Sequence, residues 1–265
     1  MDTATGKFAV ILPAAGRSTR FGDPKQKKVY AELDGRAVWL RAAEAFVNRD
    51  DVAQVMVVIA PEDRDLFERR FRPNVAFLNI RVVEGGAERA DSIARALEHL
   101  DPSCAFVAIH DAARPCLTAS QVDAVFAVAA THGAALLAVP VGDTVKRVNA
   151  DRFTIETVPR HGLYLAQTPQ VFRRDLILRA YANRARLGSM VTDDAQLVEA
   201  LGHPCAVVES SALNLKITTT ADLRLASAIL QALPKPQRAA PIHPFADEGA
   251  TWGDTPRIAP EDLFS

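Results

Sequence analysis

Five short β-rich runs, Phe8–Leu12, Gln54–Ala60, Arg81–Val83, Ala105–Ile109 and Ala135–Val139, alternate with stretches of helical periodicity near 38–47, 62–71, 88–100 and 118–131. Several of the runs are continuously apolar, and a strand without polar alternation has to be covered on both faces. Covered strands joined by helices form βαβ units, because the crossover helix is what returns the chain to start a parallel neighbour. The alternation therefore predicts an α/β fold with a mainly parallel sheet flanked by helices.

Local signals place individual elements. In "TASQVDAVFAVAATHG" Thr118 can cap a helix, Gln121 stands at the capping-box position and Gly133 can end it. After Pro140 the sequence "VGDTVKRVNADRFTIETVPRHG" alternates β-branched residues around a turn and reads as an extended hairpin or arm. Helices are expected near 174–186 and 193–201, a strand at Cys205–Glu209 and a last helix near 219–231. Beyond Leu233 the tail, 234–265, carries six of the sixteen prolines and no sustained periodicity, so it reads as unstructured or loosely draped. No internal repeat is present.

With 265 residues the chain can bury one sizeable core or two small ones. A formal net charge of −1 argues against a general nucleic-acid or membrane-surface binder. Cys104, Cys116 and Cys205 have no CxxC spacing and read as reduced thiols. The run Phe8–Leu12 is too short for a signal segment, and no apolar stretch approaches the roughly 18 residues of a membrane span. The expected location is the cytoplasm.

Ligands of open α/β sheets bind beyond the carboxyl ends of the strands, so the loop "PAAGRSTRFGDPKQ" leaving the first run is the first candidate site. Arg17, Arg20, Lys25, Lys27 and Lys28 crowd into twelve residues around a single acid, Asp23. The loop is neither a Walker A sequence nor GxGxxG, since Asp follows Gly22 and Ser18 stands at the second glycine position. Ala14, Ala15 and Gly16 nonetheless let backbone N–H groups approach a phosphate, with Arg20 and Lys25 to neutralise it. A solvated basic loop is the alternative.

A second cluster, "GGAERADS", pairs Gly85–Gly86 with a helix start at Glu88 to Ser92, where anions are favoured; Ser92 either donates to a ligand or faces solvent. A third, "FVAIHDAARP", ends an apolar run in His110, Asp111 and Arg114. Asp111 suits a magnesium or ribose contact, or else a structural pair with Arg114. His110 reads as a packed, hydrogen-bonded residue.

"PAAGRSTRFGDPKQ", "GGAERADS", "HDAARP", "VGDTVKR", "LAQTPQVF", "VTDDAQLVE" and "NLKITT" occur in an order and approximate spacing that resemble the 2-C-methyl-D-erythritol 4-phosphate cytidylyltransferase family over about residues 8–231. The resemblance implies a single Rossmann-like domain of nucleotidyltransferase type, residues 1–233, with a protruding β-arm at about 141–161. It implies transfer of CMP from CTP to methylerythritol phosphate with release of pyrophosphate, a magnesium requirement, and a homodimer formed through the arm. By the same resemblance Arg20 and Lys25 stabilise the transition state, while Arg160 and Lys216 position the acceptor phosphate. Pro13, Ala14, Ala15, Gly16, Gly86 and Ser92 fall in the CTP site; Asp111 and Arg114 fall near ribose, metal and acceptor. Thr144 and Arg160 would serve the neighbouring subunit, and Thr168 and Thr192 would line the pocket.

The chain departs from the family pattern in three places. "KKVYAELDG" adds basic residues after "PKQ", and Lys27 and Lys28 are expected to be exposed to solvent. Pro159 precedes Arg160 where an acid is common, and the tail lacks the motifs of a fused cyclodiphosphate synthase. Two rival functions remain at this level: a cytidylyltransferase for another polyol phosphate such as ribitol 5-phosphate, and a non-catalytic nucleotide-binding module.

Overall fold

The computed structural model describes residues 6–22, 27–185 and 191–233. The chain divides into two units, Met1–Gln231 and Ala232–Ser265, and the first contains every strand of the sheet. The expected tail lies outside the described residues, as do the loop residues 23–26.

Seven strands form the main sheet: β1 (Lys7–Pro13), β4 (Val52–Ile59), β5 (Ile80–Glu84), β6 (Cys104–Ile109), β7 (Ala134–Pro140), β10 (Tyr164–Arg173) and β11 (Ala206–Glu209). Their order is β11-β7-β10-β6-β1-β4-β5. Every neighbouring pair is parallel except those made by β10, which runs antiparallel between β6 and β7. Two small hairpins stand apart from this sheet, β2 (Glu32–Leu33) with β3 (Arg36–Ala37) and β8 (Val145–Val148) with β9 (Thr154–Val158).

The continuously apolar strands are covered on both faces. From β1, Phe8, Val10 and Leu12 pack with Trp39, Phe46, Phe67 and Phe126, while Ala9 and Ile11 join the opposite cluster of Ile93, Leu97, Leu176 and Ile177. Helices α1 (Val38–Glu44), α2 (Arg64–Phe77) and α4 (Ala119–His132) thus supply one layer. Helices α3 (Arg89–Leu97), α5 (Arg174–Ala182) and α6 (Asp194–Glu199) supply the other, with α7 (Thr220–Ala232) closing the described chain.

The capping signals of α4 are met: Thr118 and Gln121 form a reciprocal capping box and Gly133 ends the helix at φ 83°. Helix α2 runs six residues beyond its expected end at 71, through Pro73. Proline there removes one helical hydrogen bond, and the position is exposed, so water can satisfy the freed carbonyl.

Candidate functional site

The strand ladder fixes where the loops go. The first N–H beyond three strands continues pairing with the neighbouring strand: Ala14 donates to the Val58 carbonyl (2.7 Å), Gly85 to Ile59 (2.7 Å) and His110 to Ile11 (2.9 Å). Because β5, β4, β1 and β6 are adjacent and parallel, their carboxyl-end loops converge on one rim, where a ligand crevice forms. A cleft of about 500 Å³ opens there, walled by Pro13–Arg17, Gly85–Arg89, Ser92, Asp111 and Lys216 among others.

On the β5 side the glycines are sterically required. A Cβ on Gly85 would meet Ser92 Oγ at 2.6 Å and Ala15 Cβ at 3.0 Å; one on Gly86 would meet Asp91 Cβ at 2.4 Å. This close approach presses the second loop onto the first. Ser92 is buried rather than facing solvent: its hydroxyl accepts from the Gly86 N–H (3.1 Å) and donates to the Glu88 carbonyl (3.0 Å). Ser92 therefore shapes the glycine loop from inside, and Glu88 and Asp91 close a capping box on α3.

On the β6 side Asp111 gathers cations. Its carboxylate lies 2.7 Å from Lys216 Nζ, 3.6 Å from Arg114 Nε and 3.8 Å from Arg89 Nη2. Burial alone would push this carboxyl up, but Lys216 and then Arg89 and Arg114 outweigh it and hold it well below the usual carboxylate range. Lys216 reaches the cleft because the next residue, Ile217, donates its N–H to the Ala113 carbonyl (2.8 Å).

Behind Asp111 the hydrogen bonds leave one proton arrangement. His110 is fully buried, with Nε2 3.0 Å from the Arg114 carbonyl, which only accepts. Nε2 therefore carries the proton, Nδ1 accepts from the Thr168 hydroxyl (3.2 Å), and the Thr168 oxygen accepts the Asp111 N–H (3.0 Å). His110 is a packed residue, as its sequence context suggests. Thr168 is buried and aims Asp111 instead of lining the cleft. Arg114 is likewise a layer behind, donating to the Asn214 carbonyl (2.7 Å).

The other expected residues are more scattered. Arg20 is exposed and does not line the cleft, and Lys25 lies outside the described residues. Thr144 and Arg160 are exposed at the base of the arm, where Arg160 donates to the Gly142 carbonyl, and neither lines this chain's cleft. Thr192 is exposed and held by the Gln196 side chain at 2.8 and 3.3 Å.

The solvent-exposed reading of Lys27 and Lys28 is corrected. Lys27 is tied to Asp63 (2.7 Å) and Glu62 (3.2 Å), and Tyr30 shares Asp63 at 3.0 Å. Lys28 is half-buried and lines the cleft. Their adjacency in sequence suggested a solvated charge run; a 3-10 turn at Lys28–Tyr30 instead sends the two side chains to different partners.

Arg89 is the main site residue that sequence reasoning passed over. It lines the cleft and joins Asp111 to Asp194, 2.7 Å away and 1% exposed, which also accepts from the Tyr181 hydroxyl at 2.6 Å. A signal was available: a cation in the first turn of α3 opposes the helix dipole and needs an anion from elsewhere.

Comparison with known proteins gives consistent similarities. Residues 8–232 match the 2-C-methyl-D-erythritol 4-phosphate cytidylyltransferase family. A relative of that name from Rhodopirellula baltica is 46% identical over 237 residues, covering 84% of this chain and 94% of the relative. The crystal structure of 4-diphosphocytidyl-2C-methyl-D-erythritol synthase from Anaerococcus prevotii aligns with a TM-score of 0.73 at 29% identity, over 86% of this chain and 97% of that one. The 2-C-methyl-D-erythritol 4-phosphate cytidylyltransferase of Thermus thermophilus aligns at 0.68 with 34% identity, over 83% and 98%.

Proposed function

Because the chain belongs to the 2-C-methyl-D-erythritol 4-phosphate cytidylyltransferase family, whose reaction transfers CMP from CTP to that phosphate in isoprenoid biosynthesis, we propose that the cleft at the β1, β5 and β6 loops is where it does so, with residues 1–233 as the catalytic domain. The observation that carries this reading is the meeting of two halves on one rim: two loops of small residues and glycines pressed together, and a carboxylate ringed by cations.

An oxygen of the acceptor phosphate attacks the α-phosphorus of CTP. A new P–O bond forms, the bond from the α-phosphorus to the bridging oxygen breaks, and its electron pair leaves with pyrophosphate. Two anions must meet and charge must accumulate on the leaving group, so positioning and positive charge do most of the work. In this proposal Pro13–Gly16 and Gly86 offer backbone to CTP, with Ser92 holding Gly86 in place. Arg20 and Lys25 stabilise the developing charge on the triphosphate. Lys216, held by Asp111, receives the acceptor phosphate; Arg114, Thr168 and Thr192 support that side.

Magnesium fits this donor set. Asp111 is an ionised carboxylate on the cleft wall, and magnesium is commonly held by one or two carboxylates together with substrate phosphates. When bound it supplies further neutralisation of the triphosphate. Among the described residues no group of three or more His, Cys, Asp or Glu stands ready to cage a metal, which suits an ion that arrives with the nucleotide.

The arm favours a homodimer. Phe153, Ile155 and Leu165 are 72%, 61% and 61% exposed, an apolar surface that a second subunit would cover. Thr144 and Arg160, which do not line their own cleft, would then reach the partner's. No helix among the described residues is long and apolar enough to cross a membrane, and the three cysteines are free, which fits a reducing cytoplasm.

The test is pyrophosphate release with CTP and magnesium, offering methylerythritol phosphate and ribitol 5-phosphate separately. Turnover with the first is expected. A preference for ribitol 5-phosphate would replace the acceptor, and CTP binding without turnover of any acceptor would remove the enzymatic reading.

A further inference from the structure

Lys216 reaches the cleft from residues 210–219, a segment between β11 and α7 that is neither helix nor strand. Backbone bonds tie it on either side of Asn214: Ser210 donates to the Ala138 carbonyl (2.8 Å) and Ile217 to the Ala113 carbonyl (2.8 Å). Between those ties the irregular chain needs a further hold if the Lys216 ammonium is to keep one position.

Asn214, two residues before Lys216, is fully buried. Its Nδ2 donates to the Thr168 carbonyl (2.9 Å) and to Gln167 Oε1 (3.0 Å), and its own backbone carbonyl accepts from Arg114 Nη1 (2.7 Å). Gln167 and Thr168 lie where β10 breaks register with β7, between Ala166 and Gln170. Partners that only accept settle how both amides point: the Thr168 carbonyl for Asn214, and the Ser211 carbonyl, 3.2 Å from Gln167 Nε2, for Gln167. Asn214 Oδ1 has no hydrogen-bond partner among the described residues, so the side chain acts by what it donates.

These bonds close a ring. Asn214 holds Thr168 by its carbonyl, the Thr168 hydroxyl accepts the Asp111 N–H (3.0 Å), and the Asp111 carboxylate meets Lys216 Nζ at 2.7 Å. One buried amide therefore locates both the cleft lysine and the carboxylate that anchors it.

We propose that Asn214 is a positioning residue for the acceptor phosphate, acting through Lys216, whose approach to the cleft it sets. This rests on the cleft being the site of cytidylyl transfer and on Lys216 receiving the acceptor. A carboxylate of the same size cannot do the same work, since Asn214→Asp turns an acceptor toward two acceptors. The resulting shift falls on the segment that carries Lys216, and a misplacement on the order of 1 Å can cost about a hundredfold in rate. Among the described residues the β1 and β5 loops, which offer backbone to CTP, share no hydrogen bond with residues 210–219.

The experiment compares the full chain with Asn214→Asp, and each of them again with Lys216→Met added, following pyrophosphate release as CTP and methylerythritol phosphate are varied in turn. Expected for Asn214→Asp is an acceptor KM raised about tenfold and a CTP KM within about twofold. With Lys216→Met present, the same change should move the acceptor KM by less than about twofold, because the group through which Asn214 acts is already gone. If Asn214→Asp does not fold by circular dichroism, Asn214→Ala, which removes the amide without bringing in a charge, takes its place in the cycle. Failure of both to fold makes the residue purely structural and overturns the proposal. So do an unchanged acceptor KM, equal rises in both KM values, and a tenfold effect that persists without Lys216. An unaltered chain that releases no pyrophosphate with any acceptor is a separate result: it removes the reading of the cleft, and the proposal falls with it before any variant is compared.

Discussion

Asp194→Asn keeps the size of a buried side chain and removes only its charge. Asp194 Oδ2 accepts from Arg89 at 2.7 Å, Oδ1 accepts from the Tyr181 hydroxyl at 2.6 Å, and its N–H donates to Gln170 Oε1 at 3.1 Å. An amide retains one acceptor oxygen and turns a donor toward the other partner, so either Arg89 or Tyr181 meets a donor. Breaking a buried ion pair by removing one partner costs about 3–5 kcal/mol. The Arg89 side chain is 34% exposed and can recruit water, which brings the expected loss to about 2–3 kcal/mol. At about 2–4 °C per kcal/mol for a chain of this size, the melting temperature should fall by about 4–12 °C. There is also a functional signature: Arg89, released, has Asp111 at 3.8 Å as its remaining anion and competes with Lys216 for it. Turnover should fall about tenfold or more. Urea unfolding followed by circular dichroism reads the first effect, and pyrophosphate release the second. A stability loss under about 1 kcal/mol with unchanged turnover would refute the idea that Asp194 anchors Arg89 at the cleft.

Arg20→Ala and Lys25→Ala should each lower turnover on the order of a hundredfold with circular dichroism unchanged, and near-normal pyrophosphate release from either variant would contradict its assignment. Burial brings His110 down to about 4, against the pull of the Arg114 carbonyl, from about 6.5 in an unfolded chain. Between those values the unfolded chain holds a proton that the folded chain does not, so stability should drop as pH falls from about 6.5 to 4, by up to about 3 kcal/mol. His110→Gln should flatten that slope in urea titrations, and an unaltered slope would count against it. Ile155→Asp on the exposed arm should give a monomer by sedimentation with most turnover lost; a fully active dimer would exclude the arm as the interface.

The parallel body was legible because its signals are local. Continuous apolar runs mark β1 and β6, and Thr118, Gln121 and Gly133 delimit α4 within a residue or two. Strand β10 was not legible: Pro169 interrupts it, the register shifts between Ala166 and Gln170, and proline inside a run argues against a central strand. Of the site, the glycine pair and Asp111 could be read because backbone approach and strand ends carry sequence signatures. Lys28 could not, since its direction depends on Lys27 finding Asp63, 36 residues away. Arg89 needed Asp194, 105 residues on, before its placement made sense.

The reversed strand β10 has an architectural result. Strand β7 ends at Pro140 on the same rim as the cleft loops, and β10, running the other way, begins at Tyr164 paired with Pro140. The connection between them therefore leaves and re-enters the body at one point. Had β10 been parallel, that stretch would have been a crossover obliged to traverse a face of the sheet. As it is, the chain can lengthen, shorten or re-sequence residues 141–163 without moving a core strand. One inverted strand turns that edge of the sheet into a socket, where an insertion can vary independently of the loops that wall the cleft.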